Sequence, residues 1–564
     1  MKLEIKKFVP LAVLVIALYL IWTYFENLPA NELTESLIYA IPIALAIGFF
    51  SLIVLIIINR KEILKAFSKI KRKVWVALLI IFLISISLNA FVAPMTHRVY
   101  FDEDIYANIG QNILQEGKGI LCNRGIPEGE CYEYILNKQP MGHQFLYAVT
   151  FAIFGVNELP IHILTMLVGA LSCVFLFTTA YLLTKRADIG LFAALMLALT
   201  PILIRWSATT AAGTFLLFFS LMSMTFLLIY IKQKNQKTIT LLLAAVSFAY
   251  ALQLRPEGYL LLIPAALALI FYDKNLWKKI NKLSFVIPIA ILFLLIMPTV
   301  IHTTAAINKD PWGSDSGKVF STEYLDNNVS VNTNFFFENT RFPMIFTLLA
   351  FLGGAIAIMK KQYKFTILLA TWFFVFFIIY GLFYAGSFNY GVDVRFSQTL
   401  YAPLLIFGAI GLYFIKNTIV NKFHINKNVI FVILAIILIV IWVPFYGYSS
   451  SIGPQARVAR AQHEYAYEIQ NEIPKDCLIM NHVPSMWLVM GYPSMQTWFG
   501  QNKPVMEWAF NQTDCIMFYE AYWCGSEPYK STVCKSMHDN YNLELFKQKN
   551  LTDRTITLYR VYEK

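Results

Sequence analysis

The residues best placed to do chemistry are three consecutive acids, Asp102, Glu103 and Asp104, which closely follow a long apolar run. A carboxylate at such a boundary can take a proton from a hydroxyl or ligate a divalent metal. Acids in the first turn of a helix also have a plainer use, because the exposed N–H groups there favour negative charge. Position favours chemistry here, since the cluster falls where a lipid headgroup would lie. Cations recur at similar boundaries: Lys138 in NKQPMG, Arg205 at the end of an apolar run, Arg255 in QLRPEG and Arg395 in GVDVRFS. Charges at that depth are costly, and a planar guanidinium suits a phosphate. Snorkelling accounts for Arg205 beside Trp206 better than for Arg255 or Arg395. Acids and several cations facing one cavity would suit an anionic lipid donor, such as a sugar linked to a polyprenyl phosphate. Residues His97, His143, His162 and His302 show no metal-ligand spacing and read as scattered interfacial histidines. Walker A, G-x-G-x-x-G, C-x-x-C, H-E-x-x-H and G-x-S-x-G patterns are absent, which argues against nucleotide hydrolysis.

The elements that must position these residues are membrane helices. A hydrophobic fraction of 58% with 14% charged residues over 564 positions is far from a soluble composition. Crossing the hydrocarbon layer takes roughly 20 apolar residues with an internally bonded backbone. About thirteen such runs occur, near residues 8–27, 37–58, 75–94, 160–184, 187–205, 211–231, 237–253, 258–273, 283–303, 343–360, 364–385, 397–416 and 428–447. The net charge of +12 could signal nucleic acid, but its placement points to membrane topology instead. Basic clusters at Lys2, Lys6 and Lys7, and within 60–73, 185–186, 232–237, 274–282, 360–364 and 416–427, fall on alternate connections. The excess of Lys and Arg marks the cytoplasmic side, so the N-terminus is expected inside and the C-terminus outside. The first run lacks a small-residue cleavage site and reads as an anchor. Cys173 lies within a span, whereas Cys122, Cys131, Cys477, Cys515, Cys524 and Cys534 all fall in outward segments. Their number and placement predict one loop disulfide and two in the terminal domain.

Three outward segments are long enough to carry a site: 95–159, 304–342 and the part beyond about 450. Within the first, Ile105, Ile109 and Ile113 form one stripe and Gly117 ends the run, so an amphipathic helix is expected over 102–116 at the membrane surface, followed by a second over 142–155. The terminal segment combines a helical stretch at 455–472 with short apolar runs at 476–481, 514–519, 543–548 and 554–562, which reads as a small α/β domain. Trp487, Trp498, Trp508 and Trp523 are expected mostly as packing residues.

Taken in order, VYFDEDIYANIGQNIL after a span, NKQPMGHQFLYAV, TPILIRWSATTAAGTFLLFF, QLRPEG and DVRFSQTLYAPLLIFGAIGL resemble the GT-C superfamily of membrane glycosyltransferases. The likeness covers roughly residues 75–416 and is to the branch of protein O-mannosyltransferases and lipid A aminoarabinose transferases. It implies that the acids of the first external loop are catalytic, here Asp102 with Glu103. It also implies that Lys138, before Gln139 and Pro140, and Arg395 lie near a donor phosphate. The chain departs from the pattern at Ile105, where relatives carry a basic residue, and around Gly213 and Thr214, where they carry a second acid. The two additional N-terminal spans also depart from it.

The sequence thus predicts an α-helical polytopic membrane protein of GT-C type with a small extracytoplasmic α/β domain. Residues 1–74 form two N-terminal spans and a basic loop, 75–448 the core, and 449–564 the terminal domain. The expected activity is inverting transfer of one sugar from a polyprenyl-phosphate donor to a lipid, glycan or protein acceptor at the outer face. Asp102 acts as base, Glu103 orients the acceptor or holds a metal, and Lys138, Arg255 and Arg395 bind the phosphate. No cofactor is assigned, although Asp102 and Glu103 could hold a divalent metal. The rivals are a lipid-linked-sugar flippase, which would place charges near the bilayer midplane, and a non-catalytic relative that tolerates loss of Asp102.

Overall fold

The computed structural model describes residues 9–99, 101–126, 130–280, 282–309, 317–388, 395–525, 527, 530–551 and 554–564. Lys2, Lys6, Lys7, part of the 304–342 segment and residues 391–394 of GVDVRFS lie outside the described residues. The chain divides into two compact units, one of residues 1–95, 138–143 and 162–451, the other of 96–137, 144–161 and 452–564.

The first unit is helical, and helices occupy the runs that hydropathy marks. Among the described residues, eight helices are long and apolar enough to cross a membrane, from Ala30–Phe67 to Lys427–Ser450. Four shorter apolar helices, including Thr238–Leu252 and Met344–Met359, fall below the length a straight crossing needs. The chain is a multi-pass membrane protein. One expected span, 187–205, is broken: Ala187–Ala198 and Pro201–Ser207 meet at 62°. Pro201 has no N–H to continue the ladder, and Thr200 before it is extended at ψ 116°. With lipid as apolar as leucine, helices gain by close approach. A Cβ on Gly353 would fall 1.9 Å from the Phe407 carbonyl oxygen, and one on Gly411 2.3 Å from that of Leu349, so Met344–Met359 and Tyr401–Phe423 touch backbone to backbone.

The second unit is built on one sheet of β1 (Leu121–Gly125), β2 (Cys131–Ile135), β3 (Leu478–Asn481), β4 (Ser494–Gln496), β5 (Ile516–Glu520), β6 (Tyr541–Asn550) and β7 (Thr555–Glu563). The order is β2-β1-β4-β3-β5-β7-β6. β4, β3 and β5 run parallel, and antiparallel hairpins close both sides. Alternate residues of β3 and β5 feed two separate cores: Ile479, Met517 and Tyr519 on one face, Leu478, Met480, Ile516 and Phe518 on the other. Both faces are therefore covered, as a parallel sheet requires. The α/β character expected of the terminal segment is present, and β1 and β2 bring the 95–159 segment into the same sheet, with Arg124 opposite Met495 and Gly125 opposite Ser494. Disulfides join Cys122 to Cys131, Cys477 to Cys515 and Cys524 to Cys534, and Cys173 is a buried free thiol. Trp487 is fully buried while Trp498 is half exposed.

Helix Asp102–Glu116 forms where expected and ends on left-handed Gly117 (φ 70°). Its polar side is mostly buried, however: Asn108, Gln111 and Asn112 are buried along with Ile109 and Ile113, while Gln115 in the last turn is exposed. Their amides are used internally. Asn112 donates to the Ile120 carbonyl (2.9 Å), Asn108 accepts the Cys122 N–H (3.0 Å) and Gln111 donates to the Leu488 carbonyl (3.4 Å). Polar spacing was a matter of internal partners, so the expected amphipathic surface helix is instead a core element. Gly110 sets its distance from Gly142–Phe154, because an added Cβ would lie 2.4 Å from Tyr147 Cβ and 3.0 Å from the Gln144 carbonyl oxygen. Gly110→Val should therefore destabilise the unit by about 1–3 kcal/mol, read as a lower unfolding temperature of the detergent-solubilised protein; an unchanged temperature would refute this close packing.

Candidate functional site

Successive residues of a helix point about 100° apart, and the three acids consequently serve three different surroundings. Asp102 lines a cavity of about 310 Å³ together with Phe101, Asn123, His482, Gln496 and Trp523. Tyr106 Oη, one turn on, donates to Asp102 Oδ2 at 3.5 Å. Glu103 is fully buried and accepts the backbone N–H groups of Arg98 and of Val99 (3.0 Å). Asp104 turns to His97 and His463. The cavity's far wall is aromatic: the His482 ring lies 4.4 Å from that of Trp523, and Trp523 lies 5.5 Å from Phe101. Burial pushes the His482 imidazole down to about 4, so it is neutral near pH 7.

The surroundings of Asp104 form a closed ring of alternating bases and acids. His97 Nε2 lies 3.0 Å from Glu158 Oε2, His463 Nε2 3.4 Å from the same oxygen, His463 Nδ1 3.1 Å from Asp104 Oδ1, and His97 Nδ1 3.7 Å from that oxygen. Burial opposes charge on His97, but the carboxylates of Glu158 and Asp104 outweigh it and hold the imidazolium up to about 10. Sequence spacing makes His97 a scattered interfacial histidine and gives no signal for Glu158 or His463. Their separation along the chain leaves no spacing signal, and only their shared outward assignment could have hinted at it.

In the first unit, the motif turns that lie far apart in sequence come together. Gly142 of NKQPMG donates its N–H to the Gln253 carbonyl of QLRPEG at 2.8 Å and accepts from Tyr250 Oη at 2.9 Å. Arg255 pairs through Nε with Glu257 at 2.6 Å, and its guanidinium lies 5.0 Å from the Phe396 ring. The Arg395 guanidinium lies 5.4 Å from the same ring. Two of the three expected phosphate-binding cations therefore lie against one aromatic ring, and Lys138 stands on the turn docked two residues before Arg255. Gly213 and Thr214 pack on Gln398, with Thr214 Oγ1 3.4 Å from its Oε1. His143 and His162 bond the carbonyls of Thr210 (2.6 Å) and Ala208 (3.0 Å), so they brace the ATTAA turn. Arg205 is buried with its guanidinium 4.7 Å from the Tyr448 ring.

Against this geometry, the family model for dolichyl-phosphate-mannose-protein mannosyltransferases matches residues 138–302, the stretch that holds Lys138 and Arg255. An uncharacterised protein of Aquifex aeolicus strain VF5 is 26% identical over 222 residues, which are 39% of this chain and 41% of that protein. The chain thus spans about two-fifths of the length of that relative. Among solved structures, ArnT from Cupriavidus metallidurans bound to undecaprenyl phosphate is similar over 87% of this chain and 98% of its own, with a TM-score of 0.55 at 12% identity. The apo oligosaccharyltransferase of Archaeoglobus fulgidus is similar over 85% and 74%, with a TM-score of 0.51 at 11% identity. The fold is that of the GT-C membrane glycosyltransferases.

The neutral His482 gives a pH dependence with a definite sign. Unfolded, its imidazole takes up a proton near pH 6.5; folded, only near pH 4, so the unfolded state binds more protons in between. Stability present above pH 6.5 should fall as pH drops towards 4, by on the order of 3 kcal/mol from this group. Thermal unfolding of His482→Gln across this range should show a shallower acid loss than wild type; parallel curves would rule the buried neutral histidine out as its source.

Proposed function

We propose that the chain is a glycosyltransferase that moves a single sugar from a polyprenyl-phosphate donor to a hydroxyl-bearing acceptor by direct displacement. The observation that carries this reading is Asp102 at a cavity walled by Trp523 and His482, on a chain with the GT-C fold. An aromatic face beside amide and hydroxyl groups, here Asn123, Gln496 and Ser485, suits a polar acceptor that needs both stacking and hydrogen bonds. In the reaction Asp102 takes the acceptor hydroxyl proton, and the oxygen forms a bond to the anomeric carbon. The bond from that carbon to the phosphate oxygen breaks, and the polyprenyl phosphate leaves with the electron pair. One displacement without a protein nucleophile inverts the anomeric centre.

Each role is assigned from the surroundings within its own unit. Arg255 and Arg395, held on Phe396, and Lys138 stabilise the phosphate charge as it develops. Glu103 acts by position: its bonds to the backbone of residues 98 and 99 fix the first turn and so the direction of Asp102. The basic clusters on alternate connections and the three disulfides support a cytoplasmic N-terminus and an extracytoplasmic second unit.

Membranes carrying wild type or Asp102→Asn, supplied with radiolabelled polyprenyl-phosphate sugars and total lipid and protein acceptors, test the reading. The variant should lose about 10²–10⁴-fold in transfer rate while still binding donor, and Arg395→Ala should lower kcat as well as kcat/KM for the donor. Equal transfer by both proteins would remove Asp102 from the reaction. No transfer by either, with labelled lipid crossing the bilayer, would make the chain a flippase.

A further inference from the structure

The ring formed by His97, Asp104, Glu158 and His463 has a use that the proposed transfer reaction does not call on. Its members come from four places: the loop before Asp102–Glu116, the first turn of that helix, the residue before Leu159–Thr184, and helix Pro454–Ile469. His97, Asp104 and Glu158 are buried and His463 is nearly so. One ligand atom from each lies within 4.8 Å of the other three. A tetrahedral zinc with bonds of about 2.0–2.2 Å has ligand atoms about 3.4 Å apart. Contraction of separations of up to 4.8 Å by about 1.4 Å, within reach of side-chain rotation, would close such a shell. Two carboxylates also bring two negative charges into a site largely shut off from water, a burden that a divalent cation bound by two neutral imidazoles would cancel.

We infer that His97, Asp104, Glu158 and His463 form a divalent transition-metal site of zinc type. With four protein ligands the shell is complete, so the metal is structural and leaves no position for substrate or water. It joins the first turn of Asp102–Glu116 to Pro454–Ile469. Asp102 faces a separate cavity, so the metal acts on the reacting carboxylate only through the helix that both residues share. The alternative occupant is a proton on His97, held between the carboxylates of Glu158 and Asp104.

The full chain, purified in detergent without chelator, separates the two. Elemental analysis should return one zinc per chain. Chelation should lower the unfolding temperature, and added zinc, but not magnesium, should restore it. His463→Ala and Glu158→Gln should weaken zinc binding by more than about 100-fold, beyond the loss typical of outer-shell changes, while His482→Gln keeps it. If those variants fail to fold, the chelation and zinc titration of wild type decide alone. Absence of stoichiometric metal together with an unfolding temperature indifferent to chelator and zinc would overturn the site and leave the proton-bridged ring. Because none of these readouts involves sugar transfer, the site stands or falls independently of the proposed reaction.

Discussion

The interaction on which the acidic centre depends is the hold of the buried Glu103 carboxylate on the backbone N–H groups of Arg98 and Val99. A carboxylate at the start of a helix is favoured electrostatically, and one that also binds the preceding loop fixes the angle at which that loop enters. Once that angle is set, the helical advance of about 100° per residue decides the rest. Asp102 must look into the aromatic cavity and Asp104 towards the histidines. Three adjacent residues of nearly the same chemistry thus meet three different surroundings through direction alone. Glycine 110 completes the constraint from the other end by letting the helix lie against Gly142–Phe154 with no intervening side chain.

In the first unit the corresponding constraint comes from lipid. Backbone inside the bilayer must bond to itself, so irregular segments and charges are driven to the helix ends. The motif turns NKQPMG, ATTAAGT, QLRPEG and RFSQTL are such ends, and they meet because the helices beneath them pack closely. Hydrogen bonds between turns, such as Gly142 to Gln253 and Thr214 to Gln398, then lock the assembly that stacks Arg255 and Arg395 on Phe396.

What could be read from the sequence follows from how local each determinant is. Apolar runs of crossing length report their own solvent, so the helices appear where hydropathy places them, and the six cysteines outside the apolar runs pair as three disulfides. The break at Pro201 was written in the sequence too, but it was outweighed by the apolar run around it. Helix Asp102–Glu116 lies where the sequence places it but is more buried than its pattern suggests, because Asn108 and Asn112 bonded to nearby backbone look the same in sequence as residues facing water. The histidine–carboxylate ring was illegible for a stronger reason: His463 and Asp104 are 359 residues apart, and no periodicity reaches that far. The pairing of β1 with β4 was hidden likewise, since a strand of five residues carries little pattern of its own.

That pairing has a consequence for how the protein is made. β1 is complete at residue 125 and its neighbour β4 begins at residue 494, so about 370 residues, most of the membrane helices among them, separate two adjacent strands. At a synthesis rate of about 5–20 residues per second, the hairpin waits roughly 20–70 s for its partner. Throughout that interval β1 offers an open edge. The Cys122–Cys131 bridge closes a loop of nine residues and needs nothing from the later chain. It can hold β1 against β2 in register until β4 is synthesised.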